Sequence, residues 1–419
     1  VGSTTLTIIG SNGNIGIGTT TPESRLQVVG NITNTASSRF NPVQIGSAGS
    51  PNPRSVYVSG RYAYVTADAN TFQIFDVSTS SPALVSSTTI NGTVPNNLFV
   101  SGRYAYIVAS TDNIFNIFDI SNPSSPVLTG TTSPSGAAGL GSVYVSGRYA
   151  YVGNISGSKL FIIDISNPSS PSTIKTVTTT GSVTGVFVSG NYAYISETSN
   201  IQIVDISNPT NAVVVSSYQL IVGSTPVGIY VSGRYAYVVS QTTNNLNVFD
   251  ISNPANPVNL STTTVATTPV SMYASGRYVY VGADSGVLQV VDVSNPITPF
   301  SVGSVSSAGT NIASVFVAGR YVYTTRAGAN DVLSVIDLGG LETTSAIVHS
   351  LEAGNLQVRN DIIAQGQLQI GGGVNIGTGG IFSAGPLSVS IASSTQTNPL
   401  SAYFQGNVGI GTTSPYAPL

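Results

Sequence analysis

The sequence predicts an all-β chain built from copies of one small unit, and three observations carry that expectation. The phrase VYVSGRYAYV at 56–65 returns as LFVSGRYAYI, VYVSGRYAYV, VFVSGNYAYI, IYVSGRYAYV, MYASGRYVYV and VFVAGRYVYT, with glycines at 60, 102, 147, 190, 233, 276 and 319 spaced 42, 45, 43, 43, 43 and 43 residues apart. A second phrase follows each copy: IFDVS, IFDIS, IIDIS, IVDIS, VFDIS, VVDVS and VIDLG. The apolar residues of both phrases are β-branched or aromatic and are cut by Gly, Pro, Ser, Thr and Asn. That is the vocabulary of strands and turns, and no stretch shows helical periodicity.

Each unit parses into four strands. In the first they are SVYVS, RYAYV, FQIFDV and, after a Pro-bearing turn, PALVSSTT. A four-stranded repeat of this length is the signature of a propeller blade. Blades stack face against face, which buries both sides of the inner strands and explains apolar runs without clean alternation. In YAY the two tyrosines point one way and the small Ala63, Ala105 or Ala150 the other, against the next blade. Seven units therefore predict a seven-bladed β-propeller. Eight fourth-strand phrases exist for seven blades, because FNPVQIGSAG at 40–49 precedes the first unit and SAIVHSLEAG at 345–354 follows the last. Asn41–Ala48 keeps the Asn-Pro-Val opening of its siblings and is expected to close the ring, with residues 345–351 leading out of the disc.

Composition bounds the function. The charged fraction is 7% and the net charge −3, with no basic cluster, so nucleic acid and acidic membrane surfaces are not expected partners. No apolar run is long enough for a spanning helix, so no membrane span is expected. The chain has no cysteine, which rules out a disulfide framework and a thiolate metal site. It shows neither an initiator Met nor a signal peptide, and the reading here is an N-terminus processed or trimmed. N-x-S/T sequons at Asn31, Asn91, Asn154 and Asn259 are weak hints of exposure.

The pairing of SGRYAYV with IFDISNPSSPV over about residues 40–345 resembles the LVIVD repeat family. The resemblance implies a β-propeller of a bacterial or archaeal surface protein, hence an extracellular or cell-surface location. The absence of Trp sets the chain apart from WD-repeat propellers. The first and last units depart from the pattern, reading DVSTSSP and DLGG where the others carry Asn-Pro.

The repeat also repeats its charges. Arg61, Arg103, Arg148, Arg234, Arg277 and Arg320 occupy six of the seven hairpins, with Asn191 in the remaining one. Asp76, Asp119, Asp164, Asp205, Asp250, Asp292 and Asp337 close the third strands. Topology places both sets on one face of the disc. They are read as structural: each aspartate accepts N–H bonds in its own turn and pairs with an arginine. A ring of arginines that binds anions is the alternative. The opposite face holds the loops that vary, TADANT, VASTDN, GNISGS, SETSN, SQTTNN, GADSG and RAGAN. These could bind glycans, pack on another copy, or be solvated turns. Chemistry is otherwise sparse. His349 is the only histidine, and the Gly-rich IGGGVNIGTGG has no helix after it to receive a phosphate. No enzyme, no cofactor and no metal site is expected.

The flanks have a different grammar. GNIGIGTTTPESRL at 13–26 reappears as GNVGIGTTSPYAPL at 406–419, and LQVRNDIIAQGQLQIGGGVNIGTGG alternates apolar and polar residues in short pieces. Such pieces cannot bury an apolar face alone. They resemble the stalks of phage tail-fibre-like and bacterial surface fibre proteins. Three domains follow: a β-rich fibrous stalk or assembly segment at 1–38, the propeller at 39–351, and a second β-rich segment at 352–419. Leu6, Ile8, Ile15, Ile17, Val408, Ile410 and Leu419 are the candidate assembly residues. The expected function is that of an extracellular structural protein, one subunit of a self-assembling fibre, with other copies of itself as partner; a glycan-binding adhesion module is the alternative.

Overall fold

The computed structural model describes residues 42–338, except 222, 307–310 and 327–331, together with the backbone of strands at 7–8, 15–17 and 26–28. Seven four-stranded antiparallel sheets make up residues 43–337. The first blade consists of Pro53–Ser59, Tyr62–Ala67, Thr71–Asp76 and Ala83–Thr89. Later blades repeat that pattern. The first strands of all seven blades are mutual neighbours in a closed circle, so they line the axis and the fourth strands form the rim. This is a seven-bladed β-propeller. The single helical piece among the described residues is a 3-10 turn, Pro209–Asn211, between the third and fourth strands of blade 4.

Blade 7 is assembled from both ends. Ile312–Ala318, Tyr321–Arg326 and Val332–Asp337 supply three strands, and Val43–Gly49 supplies the fourth, paired from Val43 with Asp337 to Gly49 with Val332. The closure expected of the Asn-Pro-Val phrase is therefore made by its Val43–Gly49 part. Residues 345–351 lie outside the described residues.

The YAY phrase builds the core between blades. Ala63 and Val65 pack towards Tyr323, Leu333 and Val335 of blade 7, while Tyr64 packs with Leu98, Val100 and Ile107 of blade 2. A methyl on one face and a phenol on the other let the blades wedge together around the axis.

A second set of contacts belts the rim. Every fourth strand carries a bulge, at Val85 in blade 1, where Ile74 pairs with Ser86 and Phe75 with Leu84. In five blades the residue after the bulge faces the next blade's turn between third and fourth strands. Ser86 donates to the Pro123 carbonyl at 2.6 Å, Ser216 to Pro254 at 2.7 Å and Ser261 to Pro296 at 2.6 Å. Glycine takes this place in three blades, at Gly130, Gly303 and Gly46, and a Cβ on Gly130 or Gly46 would overlap the backbone oxygen of Pro168 or Ser80. The Ser-Asn-Pro phrase thus ties blades together as well as turning its own chain.

One expectation needs correction. The Asn154 sequon does not mark an exposed site: the residue is fully buried, and its Oδ1 accepts the Ala138 N–H at 3.2 Å.

Candidate functional site

The repeated charges gather on the hairpin face. Gly60 and Arg61 form the two-residue loop between paired Ser59 and Tyr62, and Gly60 has φ 60°, the type II′ geometry that favours glycine first. This turn aims Arg61 at Asp76, one strand away. Arg103 reaches Asp119, Arg148 reaches Asp164 at 2.6 Å, and Arg234, Arg277 and Arg320 reach Asp250, Asp292 and Asp337. Each guanidinium also lies 5.4 to 5.5 Å from the centre of the tyrosine ring that follows it. The other carboxylate oxygen accepts an N–H two residues on, from Ser78, Ser121, Ser166, Ser207, Ser252 and Ser294, at 2.8 to 2.9 Å.

These bonds hold the carboxylates ionised. The Arg61, Arg103 and Arg234 guanidiniums, helped by the serines, bring Asp76, Asp119 and Asp250 down to about 2. Burial works against ionisation at Asp164 and Asp292, and their arginines and serines overcome it. Asp205 faces Asn191 rather than arginine, and the Ser207 hydroxyl and N–H alone lower it. The arrangement recurs blade by blade and closes on itself. It leaves the arginines committed to neighbours within their own sheets.

A feature that sequence reasoning missed lies on the axis. The fifth residue of each first strand is aromatic: Tyr57, Phe99, Tyr144, Phe187, Tyr230, Tyr273 and Phe316. Consecutive ring centres stand 4.5 to 5.1 Å apart, and the circle closes between Phe316 and Tyr57 at 4.5 Å. Interplanar angles of 46° to 56° give every pair a tilted contact, the arrangement that ring quadrupoles favour. A heptagon with such sides puts the ring centres about 5.5 Å from the axis, close enough to obstruct the central channel. Burial raises all four tyrosines, Tyr57 and Tyr144 to about 12, so their hydroxyls remain protonated at neutral pH. The signal was present, since the residue two before each SG or AG is Tyr or Phe in every repeat.

Above this ring, towards the variable loops, the first strands enclose a cavity of about 350 Å³. Its wall holds Arg54, Asn96, Asn97, Thr184, Ser271 and Ser314, among apolar neighbours. Arg54 is engaged by Asp68. Three wall oxygens fasten blade to blade: Asn97 Oδ1 accepts the Val143 N–H at 3.3 Å, Ser271 Oγ that of Val315 at 3.0 Å, and Ser314 Oγ that of Val56 at 3.3 Å. At the mouth, Asn52, Val94, Thr268 and Asn311 hold left-handed φ values of 44°, 57°, 52° and 61° just before their first strands. Among the described residues no three His, Asp or Glu side chains are grouped as a metal site requires.

The candidate assembly residues are only partly placed. Ile8 pairs with Ile15, and Ile15 and Ile17 run parallel to Leu26 and Val28 in a three-stranded sheet. Leu6, Val408, Ile410 and Leu419 lie outside the described residues.

Solved structures with the same architecture are distant in sequence. Raptor from Chaetomium thermophilum superposes with a TM-score of 0.60 at 13% identity, over 72% of this chain and 30% of that one. The β-propeller domain of Cps50 (Swd1) from Myceliophteria thermophila gives 0.59 at 11%, over 71% and 99%. A computationally designed protein, Ika8, gives 0.52 at 12%, over 70% and 99%. The chain thus spans under a third of the Raptor chain, and at these identities the likeness is one of fold. Comparison with curated proteins finds no match. The family model of the LVIVD repeat matches residues 52–89, 95–133, 138–179, 180–219, 226–264 and 270–307. The seventh blade, split between the two ends of the propeller, is not among those six matches. With more than half of its residues matched to that repeat, the chain belongs to the LVIVD repeat family.

Proposed function

We propose that the protein is a subunit of an extracellular surface fibre or filament, in which the propeller is a displayed head and the β-rich segments at either end join neighbouring copies. A propeller of LVIVD repeats points to a surface or protein-interaction module. Within it the repeated charges serve the blades' own turns, which favours a scaffold over a catalyst. The observation that carries the fibre reading is the sheet at residues 7–28. Its strands are two or three residues long, too short to be stable unaided. Its middle strand, Ile15–Ile17, lies inside the phrase that recurs at 406–419. Another copy of the chain would supply the missing neighbours. Sedimentation velocity and electron microscopy of the full chain and of a chain lacking residues 1–10 test this. Filaments or large oligomers are expected from the first, and dispersed particles with an unchanged propeller melting temperature from the second. Full-length protein that stays monomeric at about 50 μM, where even weak micromolar self-association would show, overturns the proposal.

A second reading, recognition of glycans by the loop face, is favoured by one observation: the axial cavity opens on that face.

A further inference from the structure

We propose that the axial cavity is the recognition site itself, and that its ligand is a neutral, hydroxyl-rich ring of monosaccharide size. The inference rests on the recognition reading of the loop face and narrows it from the loops to the axis. Size, floor and wall each bear on the ligand's chemistry.

At about 350 Å³ the space falls at the small end of ligand pockets, which run from roughly 300 to 1,000 Å³. It suits one ring rather than an extended chain. The floor is the circle of seven aromatic side chains, half-buried and tilted against each other, so that it offers ring faces and edges together. A pyranose presents C–H groups on its faces and hydroxyls around its rim, and such a floor covers the former. The wall supplies polar groups with capacity to spare: Ser271 and Ser314, which accept the next blade's N–H, keep their O–H to donate, Asn96 keeps its amide oxygen to accept, and Thr184, engaged with Ser196, keeps a lone pair. Charge is matched rather than free, because Asp68 engages Arg54, the one charged side chain of the wall. A net charge on the ligand would gain nothing there and would lose its hydration.

The wall also has a gap. Blades 2, 6 and 7 place Asn97, Ser271 and Ser314 against the N–H groups of the following blade. Blades 4 and 5 have Gly185 and Gly228 at the equivalent position; a Cβ at Gly185 would crowd Ser196 Oγ and Gly228 Cα, at 2.8 and 2.9 Å, whereas Gly228, opposite Met272 of blade 6, faces open space. A side chain at Gly228 would meet nothing nearer than Met272 Cγ, 3.7 Å from its Cβ, so a recess exists where five other blades carry a side-chain oxygen, at Ser55, Asn97, Ser142, Ser271 and Ser314. A ligand hydroxyl seated in that recess takes the part of the missing side-chain oxygen for the Met272 N–H.

The test is titration of the full chain with methyl α-D-glucopyranoside, methyl β-D-galactopyranoside and N-acetylglucosamine, followed by calorimetry or saturation-transfer NMR. N-acetylneuraminate and tetramethylammonium serve as charged probes. One neutral pyranoside is expected to saturate a single site per chain, with a Kd between about 0.1 and 10 mM, as suits so few contacts. Ala313→Phe, which fills the cavity, and Gly228→Ser, which fills the recess, should each weaken it at least about tenfold. Gly228→Ser restores an oxygen that five blades already carry, so the fold tolerates it and a loss of binding is not a loss of structure. No saturable binding of any neutral pyranoside up to about 50 mM overturns the inference, as does tighter binding of a charged probe. Pyranoside binding left unchanged by both variants also overturns it, and leaves the loops as the recognition site.

Discussion

Val94 holds φ at 57°, a left-handed backbone that a β-branched side chain resists, and Thr268 does the same at 52° in blade 6. Their counterparts in blades 1 and 7 are Asn52 and Asn311, which tolerate that conformation far better. The carbonyl explains why the bend is kept. Val94 O accepts the Ser110 N–H at 3.0 Å and Thr268 O the Asp284 N–H at 2.9 Å, so the bend sews each first strand to the loop beside it. Val94→Asn should therefore stabilise the protein by about 1 kcal/mol, read as a rise in the denaturation midpoint with unchanged slope; a fall would refute the account. Nothing local in the sequence announces this bend, because the residues that adopt it differ from blade to blade. The aromatic circle is the opposite case. Tyr or Phe stands at the same place in all seven repeats, and the identity of the position was legible while its partners, some 43 residues away along the chain, were not. The repeated charges were legible: SGR and DIS share a face because strand order puts them there, and the Asn191 departure marks the one repeated aspartate without an arginine.

The hairpins and the four-strand unit could be read directly from the repeat, since turn residues and β-branched runs fall at fixed offsets. The rim belt could not. Its partners are the residue after a bulge in one blade and the Pro-bearing turn of the next, and only the assembled disc brings them together. The serine and glycine found there look interchangeable in sequence, yet the structure separates them. Serine reaches for a carbonyl, whereas glycine leaves room for one. Gly130→Val should place side-chain atoms where Pro168 O and the Pro171 ring sit. Backbone would have to move, and a loss of about 2 kcal/mol or more is expected. The check is chemical denaturation beside Ser86→Ala, which removes one hydrogen bond without overlap and should cost only about 1 kcal/mol. Equal losses would mean that the belt is no tighter at Gly130 than at Ser86.

For the whole molecule, the repeated carboxylates set the acid limit of stability. The folded values of Asp76, Asp119, Asp164, Asp205, Asp250 and Asp292 lie below the ordinary 3.8, at about 2 for Asp76, Asp119 and Asp250, so the stabilisation they bring is complete above about pH 4 and is lost as pH falls through 2. Burial pushes Tyr57, Tyr64, Tyr106, Tyr144 and Tyr151 from 10.0 up to about 12, which places the alkaline loss between those two values. Melting temperature measured by circular dichroism should be nearly flat from about pH 5 to 9 and fall outside about 4 and 10; a maximum below pH 4 would contradict the assignment. Ring closure between the two ends of the propeller has a further consequence, in time rather than in energy. Gly49 must wait for Val332, its partner, and 282 residues separate them. At the usual 5–20 residues per second of synthesis, this first-made strand of the propeller stays without its sheet for roughly 15 to 60 s. Blades 1 to 6 each have four consecutive strands and can form as they emerge, whereas the seventh cannot exist until the rest are made. The earliest strand of the propeller is thus the last to be placed.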